Sequence, residues 1–381
     1  MDLLLALRGL DVVSNSETSI MRIENYFAQE NGRITLCIDG FVDEVWQILE
    51  KRLDRTNFSL YSKVQDFAKD VYDSGSGGYS NEIIRKRRSY GGFTGNTGKA
   101  VGRLGGNPTI VGMFGKDTID PAFHGHQELA KLITVGNPAI CHIFEFIDGK
   151  IMLPYVEETI DFSWDTLKAA QPWDMLKAAF VNCDIAAMGY WAYIPAFDDI
   201  VLNICEKFLI NGHCKRLFFD FADIRKRDRR ALEQTLELLA RLNLKIPMSL
   251  SLNEHEAVLL FSYMDRNFDW RSPEKSDNDI GYVRQKIGLD ELIVHTPYFA
   301  VASTETEGIA TALQQYCENP IITAGAGDHF NGGYIAASAR QGQLSLYDRL
   351  MVGNGTTSFY IRNGFSPDMN DLLGELKRLS Y

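Results

Sequence analysis

The sequence predicts an α/β fold, a mostly parallel central sheet with helices on both faces and a small β-rich lid attached to it. Three observations carry this. Short apolar runs alternate with helical patterns from about residue 33 to the C-terminus, the rhythm of a parallel sheet. Glycine-rich turns stand where several of these strands meet the following helix. Two stretches break the rhythm, about 44–90 and about 139–157, and are expected to form the lid.

The elements follow in order. "MDLLLALRGLDVV" has an acidic residue at position 2 and no basic segment before its apolar run, so it predicts an amphipathic helix over residues 3–28 and not a signal peptide. Residues 1–32 are read as a helical extension and 33–381 as one α/β domain. "RITLCIDGFVD" predicts a strand and a turn, with Asp43 just beyond the strand. Between Glu44 and Tyr90 lie a helical pattern, "FSLYSKVQDFAKDVYD", and the flexible run "SGSGG". "NTGKAVGRLG" predicts a helix ending in glycine, and "NPTIVGMFG" the next strand. "AICHIFEFIDGKIMLPYV" has two β-rich arms around Asp148-Gly149, a hairpin signal that fits either a lid or an ordinary edge hairpin. Strand–helix alternation resumes with "AAFVNCDIAAMG", "CKRLFFDFAD", "IPMSLSLNEHEAVLLF" and "LDELIVHT".

Composition narrows the function. A net charge of -11 argues against a nucleic-acid partner, which calls for a basic face. Nowhere do 18 uncharged apolar residues occur together, so no membrane span is expected. The six cysteines are scattered with no C-x-x-C pair, which suits a reducing, cytoplasmic setting and gives no zinc spacing.

Four motifs carry chemistry. In "IITAGAGDHFNGGYIAA", Gly325, Ala326 and Gly327 precede Asp328 and a helix whose apolar positions include Phe330, Tyr334 and Ala337. Backbone N–H groups at such a helix start form an anion site, while an aspartate there is equally a plain helix-stabilising residue. An anion hole beside a carboxylate that takes a proton from an alcohol would be a compact phosphotransfer design. The second motif is "GGFTGNTGKAVGRLGG". Gly98-Lys99 invites a P-loop reading, which fails because Phe93 and Ala100 stand where that motif needs glycine and Ser/Thr. It leaves a tight turn into a helix, or backbone and Asn96 contacting a polar ligand. Third, Asp43 is either a turn residue or a carboxylate accepting two sugar hydroxyls. Fourth, in "SLNEHEAVLLF", Asn253 and Glu256 share a helical face and can position magnesium-bound water, although Asn253 also fits a plain N-cap. The basic runs "IIRKRRSY" and "DIRKRDRR" read as solvated faces before phosphate sites.

In order and spacing these pieces resemble the ribokinase-like (PfkB-type) carbohydrate kinase family, from about Arg33 to Gly364. Asp43 matches its substrate-binding aspartate, Gly91, Gly92 and Asn96 its G-G-x-x-x-N motif, Asn253 and Glu256 its N-x-x-E motif, and "ITAGAGD" its D-T-x-G-A-G-D signature. The resemblance implies a ribokinase-like three-layer α/β/α sandwich with a lid. It makes Asp328 the catalytic base, with Gly325, Ala326 and Gly327 lining the anion hole. Asp43, Gly92 and Asn96 would hold a hydroxylated substrate. Asn253, Thr296 and Asn354 are the nucleotide candidates, and Glu256 would hold Mg²⁺ through water. ATP and Mg²⁺ are the implied cofactors, and the family's lid, often a dimer interface, allows a homodimer. Three departures touch the nucleotide and cation side: Ile322 replaces the signature's first aspartate, "VHTPYFAVAS" replaces a T-x-G-type stretch, and Ala222 stands at the asparagine of D-x-N-x-R. The expected activity is ATP-dependent phosphorylation of a hydroxymethyl group on a sugar or sugar-like molecule. A nucleoside kinase, with Phe93 or Tyr155 as a shelf for the base, and a catalytically weak sugar-binding or regulatory protein are the rivals.

Overall fold

Strands buried on both faces need apolar side chains on both, and the central strands of this protein have them: Ile34 to Cys37 and Ile185 to Gly189 are buried throughout. The structure, a computed structural model, describes residues 17–340 and 342–379. Residues 3–16 of the expected N-terminal helix lie outside the described residues, and residues 17–27 form helix α1.

Strand β1 (Ile34–Cys37) opens the main sheet. The first excursion from it comprises β2 (Phe41–Arg52), β3 (Phe58–Leu60), α2 (Val64–Asp73) and β4 (Ile83–Gly91). Helix α3 (Gly92–Arg103), β5 (Thr109–Gly112) and β6 (Lys131–Thr134) return to it. The second excursion is the hairpin β7 (Ala139–Phe146) and β8 (Gly149–Tyr155), turning at Ile147-Asp148 as the Asp-Gly signal predicts. Helices α4 (Glu157–Ile160), α5 (Trp164–Ala170) and α6 (Trp173–Val181) lead to β9 (Ile185–Gly189), then α7 (Phe197–Ile204) and β10 (Arg216–Asp220). Next come α8 (Arg229–Asn243), β11 (Met248–Asn253), α9 (Glu254–Ser262) and α10 (Pro273–Ile287). The chain closes with β12 (Glu291–His295), β13 (Phe299–Thr304), β14 (Gly308–Leu313), α11 (Ala326–Ser338), α12 (Leu346–Asn363) and α13 (Met369–Leu379).

The nine-stranded sheet runs β14-β13-β12-β11-β10-β9-β1-β5-β6, parallel except for β13 and β14 at one edge. Neighbouring residues of one strand feed opposite cores. Cys37, Val111 and Phe219 face the layer of α5 to α10, while Leu36, Ile110 and Phe218 face α1, α3 and α11 to α13. This is the expected three-layer sandwich. The smaller sheet has β2 at its centre, antiparallel to β4, parallel to β7 and, near its far end, antiparallel to β3. Asp43 therefore lies inside a strand and not in a turn after one, because β2 resumes at Phe41 and pairs along both edges. The lid has its own small core of Phe41, Val45, Ala139, Cys141 and Ile143.

Candidate active site

The carboxyl ends of β9, β10, β11 and β12 converge on the N-terminus of α11, the place where open α/β sheets bind ligands. A cleft of about 540 Å³ opens there, lined by Asp220, Asn253, Thr296 and the turn from Gly325 to Asp328. A second cleft of about 860 Å³ lies under the lid, with Asp43, Ser89, Asn96 and Lys150 in its walls. Both reach Pro320 and Thr323.

Gly325 caps α11 with left-handed backbone, φ 77°, and a Cβ there would stand 2.9 Å from the Asn96 amide, so glycine is required on two counts. The Ala326 N–H turns back to the Thr323 carbonyl at 3.3 Å. The N–H groups of Gly325, Gly327 and Asp328 make no hydrogen bond among the described residues. Three donors thus stay open at a helix start, where the dipole favours an anion.

Asn96 donates to Asp328 Oδ2 at 2.9 Å, and the Thr97 hydroxyl donates to the Asp328 carbonyl at 3.1 Å. The Asp328 carboxyl is raised well above the usual carboxylate range, first by burial and then by the charge of Asp220, against the Asn96 hydrogen bond. A carboxylate so raised is a stronger base than a free one.

Asp43 pairs across strands with Ser89 and Cys141, and its carboxylate has no hydrogen-bond partner among the described residues. Burial pushes it up to about 7, with Lys150 and Arg87 opposing. Gly91 is glycine because a Cβ would meet the Asp43 carboxylate at 2.4 Å. Gly92 answers to a different carboxylate: at φ 75° its Cβ would lie 2.1 Å from Asp39 Oδ2. Asp39, absent from the sequence-based site, is fully buried and accepts the N–H groups of Phe93 and Thr94 at 2.8 Å each, fixing the start of α3. Gly92 is buried against that cap.

Asn253 is the N-cap of α9. Its Oδ1 accepts the His255 and Glu256 N–H groups at 3.0 Å, and Glu256 Oε2 accepts the Asn253 N–H at 2.9 Å. Asn253 lines the first cleft, whereas Glu256 lies behind it, 3% exposed, its Oε1 without a hydrogen-bond partner among the described residues. Burial and the neighbouring Asp220 charge raise the Glu256 carboxyl well above its ordinary value. Among the described residues no group of three or more His, Cys, Asp or Glu is arranged to hold a metal directly. An orphaned carboxylate oxygen beside a second carboxylate fits a hydrated Mg²⁺, which keeps several waters and binds through few protein groups.

Asp220 closes β10, accepting the Asn331 amide at 2.8 Å and the Ala222 N–H at 2.7 Å; burial raises it to about 6. Its signal in the sequence was a strand ending in aspartate, which alone says nothing of a neighbour more than 100 residues away. Thr296 lines the cleft, but its hydroxyl is engaged in its own turn, donating to the Phe299 carbonyl and accepting the Tyr298 and Phe299 N–H groups. Asn354 is brought to neither cleft: it is 1% exposed, and its amide ties α12 to the Ala312 carbonyl of β14. Thr357 and Ile361, one and two turns on, line the first cleft. The two shelf candidates are also elsewhere. Phe93 is fully buried, and Tyr155 is exposed on the lid hairpin against Glu157.

A family model for prokaryotic ketohexokinase matches residues 15–378. A ketohexokinase of Haloferax volcanii is 25% identical over 352 residues, covering 90% of each chain. A fructokinase with bound ATP from Xylella fastidiosa superimposes with a TM-score of 0.61 at 14% identity, over 91% of this chain and 99% of that one. A nucleoside kinase from Methanocaldococcus jannaschii, an archaeal member of the ribokinase family, does so with a TM-score of 0.57 at 15% identity, over 92% of this chain and all of the other. The structural likenesses establish the fold as ribokinase-like.

Proposed function

The chain belongs to the prokaryotic ketohexokinase family and is a carbohydrate kinase; on that footing we propose that it transfers the γ-phosphoryl group of ATP to a hydroxymethyl group of a ketohexose, with Asp328 as general base. The observation that carries this reading is the Asn96–Asp328 hydrogen bond, which joins a residue of the lid cleft to a residue of the α11 cleft. A base held at that junction reaches an acceptor on one side and a phosphate donor on the other.

The acceptor lies under the lid with its hydroxyls on the carboxylate of Asp43, beside Asn96. Asp328 accepts the proton of the attacking hydroxyl as its oxygen bonds phosphorus and the bond to the ADP oxygen breaks. The open N–H groups of Gly325, Gly327 and Asp328 donate to the charge on the group in flight. Asn253 and the Thr296 turn border the nucleotide, and Asn354 acts only by bracing α12 behind it. Glu256 and Asp220 would hold Mg²⁺ through water; the ion, when bound, neutralises phosphate oxygens. Closure of the lid excludes water as a competing acceptor. Cytoplasmic work, where ATP is supplied, belongs to the same proposal, as does a homodimer through the lid.

ADP release from Mg²⁺ and ATP across ketohexoses, aldoses and nucleosides tests it. Turnover is expected with a ketohexose, falling by about 10³-fold or more in a folded Asp328→Asn protein. Turnover with nucleosides alone, or an undiminished Asp328→Asn enzyme, would overturn it.

A further inference from the structure

Tyr190, the first residue beyond β9, holds a left-handed backbone at φ 80° and ψ 34°. A bulky non-glycine residue rarely occupies that region, and such outliers persist where the surrounding structure enforces them, often at functional sites. Here the enforcement is visible. The ring packs on Phe41 at 4.8 Å and stacks on Tyr193 at 5.5 Å, tying the lid's small core to the main sheet. Phe41 and Asp43 are two apart in β2, so Tyr190 packs on the strand face that carries Asp43. Tyr190 also lines the first cleft together with Asp328. Its hydroxyl has no hydrogen-bond partner among the described residues, although Asp328, Asp39 and Asp43 all lie within its electrostatic reach. Tyr190 is only partly buried and lines the cleft, where a tyrosine hydroxyl can serve a ligand. A donor left open between two functional carboxylates is placed for a ligand.

We propose that Tyr190 is an acceptor-binding residue: its hydroxyl hydrogen-bonds the sugar held between Asp43 and Asp328, and its ring forms one wall of the seat. The strained backbone is what carries the ring from β9 into that gap. This inference rests on the reading of the site as that of a ketohexose kinase.

The test compares wild type, Tyr190→Phe and Tyr190→Asn with fructose and ATP as the varied substrates, alongside thermal melting. Tyr190→Phe keeps the ring and loses the hydroxyl. It should raise the KM for fructose about tenfold, the effect of one hydrogen bond, with the KM for ATP within about twofold and the melting temperature unchanged. Tyr190→Asn removes the ring and tolerates left-handed backbone. It should lose fructose turnover further, without recovering it through any gain in stability. A Tyr190→Phe enzyme with an unchanged fructose KM would overturn the proposal. So would one whose two KM values rise together as its melting temperature falls, the mark of a purely structural role. A wild-type protein that ATP stabilises but that phosphorylates no ketohexose would instead overturn the functional reading itself, and this proposal with it.

Discussion

Asp328 owes its basicity to neighbours that pull in opposite directions. Burial and the Asp220 charge raise it, and the Asn96 amide lowers it by bonding the ionised form. With Asp328 as the proposed base, active when deprotonated, activity should rise with pH along a limb set above the ordinary carboxylate range. Asp220→Asn removes a negative charge and should move that limb to lower pH, whereas Asn96→Ala removes a stabilising donor and should move it higher. Profiles of kcat/KM against pH for the three proteins check both signs. At this scale contiguous motifs made Asp328, Asn96 and the glycines of the turn legible as candidates, and the structure, which the motifs could not anticipate, sets Asn96 against Asp328 and Gly325. It was silent on Asp39, Asp220 and Tyr190, whose roles come from partners 54, 111 and 149 positions away in the chain, or from a backbone angle. It misplaced Asn354 for a related reason, since a polar residue bracing two elements and one facing a ligand look alike in one dimension.

Helix α11 can bring its N-terminus to the site only because it approaches its neighbours closely. A Cβ on Gly332 would meet the Ala100 Cβ of α3 at 2.5 Å, and one on Gly333 would meet the Val352 carbonyl of α12 at 2.8 Å. The second contact is with backbone, which cannot swing aside. Gly333→Ala should therefore separate α11 from α12, cost roughly 1–3 kcal/mol in urea unfolding, and lower kcat by moving the turn proposed as the anion hole. Element type was readable for the parallel strands and for the Asp148-Gly149 hairpin, where turn chemistry is local. It was less so for β2 and β4. The charged run "IIRKRRSY" is the strand β4, whose arginines face solvent and acids, Arg88 pairing with Asp120 at 2.6 Å and Arg85 with Glu44 at 3.3 Å. A solvated charge run and an edge strand with charged faces share one sequence pattern.

For the whole molecule, the gathering of buried carboxylates around the two clefts leaves a mark on stability. Asp39 and Asp43 are raised to about 7 and Asp220 to about 6, from ordinary values near 3.8. Between those limits these native carboxyls bind protons that the unfolded chain has released, so their contribution to stability falls as pH rises from about 4 to about 7, against the buried His126, His295 and His329, which are lowered to about 4 and contribute in the opposite direction. Melting temperatures across that range check the carboxylate part: Asp220→Asn should gain on wild type as pH rises. The main sheet and its two helical layers followed from strand–helix alternation, because that pattern is repeated along the chain. The lid's sheet did not follow strand by strand, because it is assembled from two separate excursions whose pairing is long-range. Nor did the docking of α1, which buries Ile20, Ile23 and Tyr26 and bonds Arg22 to Asp348 at 2.8 Å.

The proposed phosphoryl transfer runs through a base at the meeting of two clefts. Single-turnover transfer from γ-labelled ATP to saturating fructose, followed with wild type and with Asp328→Asn, tests it most directly. Label should pass to a sugar hydroxymethyl group in the wild type, while the variant binds both substrates with near-normal affinity and transfers about 10³-fold more slowly or worse. Equal transfer rates in the two proteins would rule out Asp328 as the base.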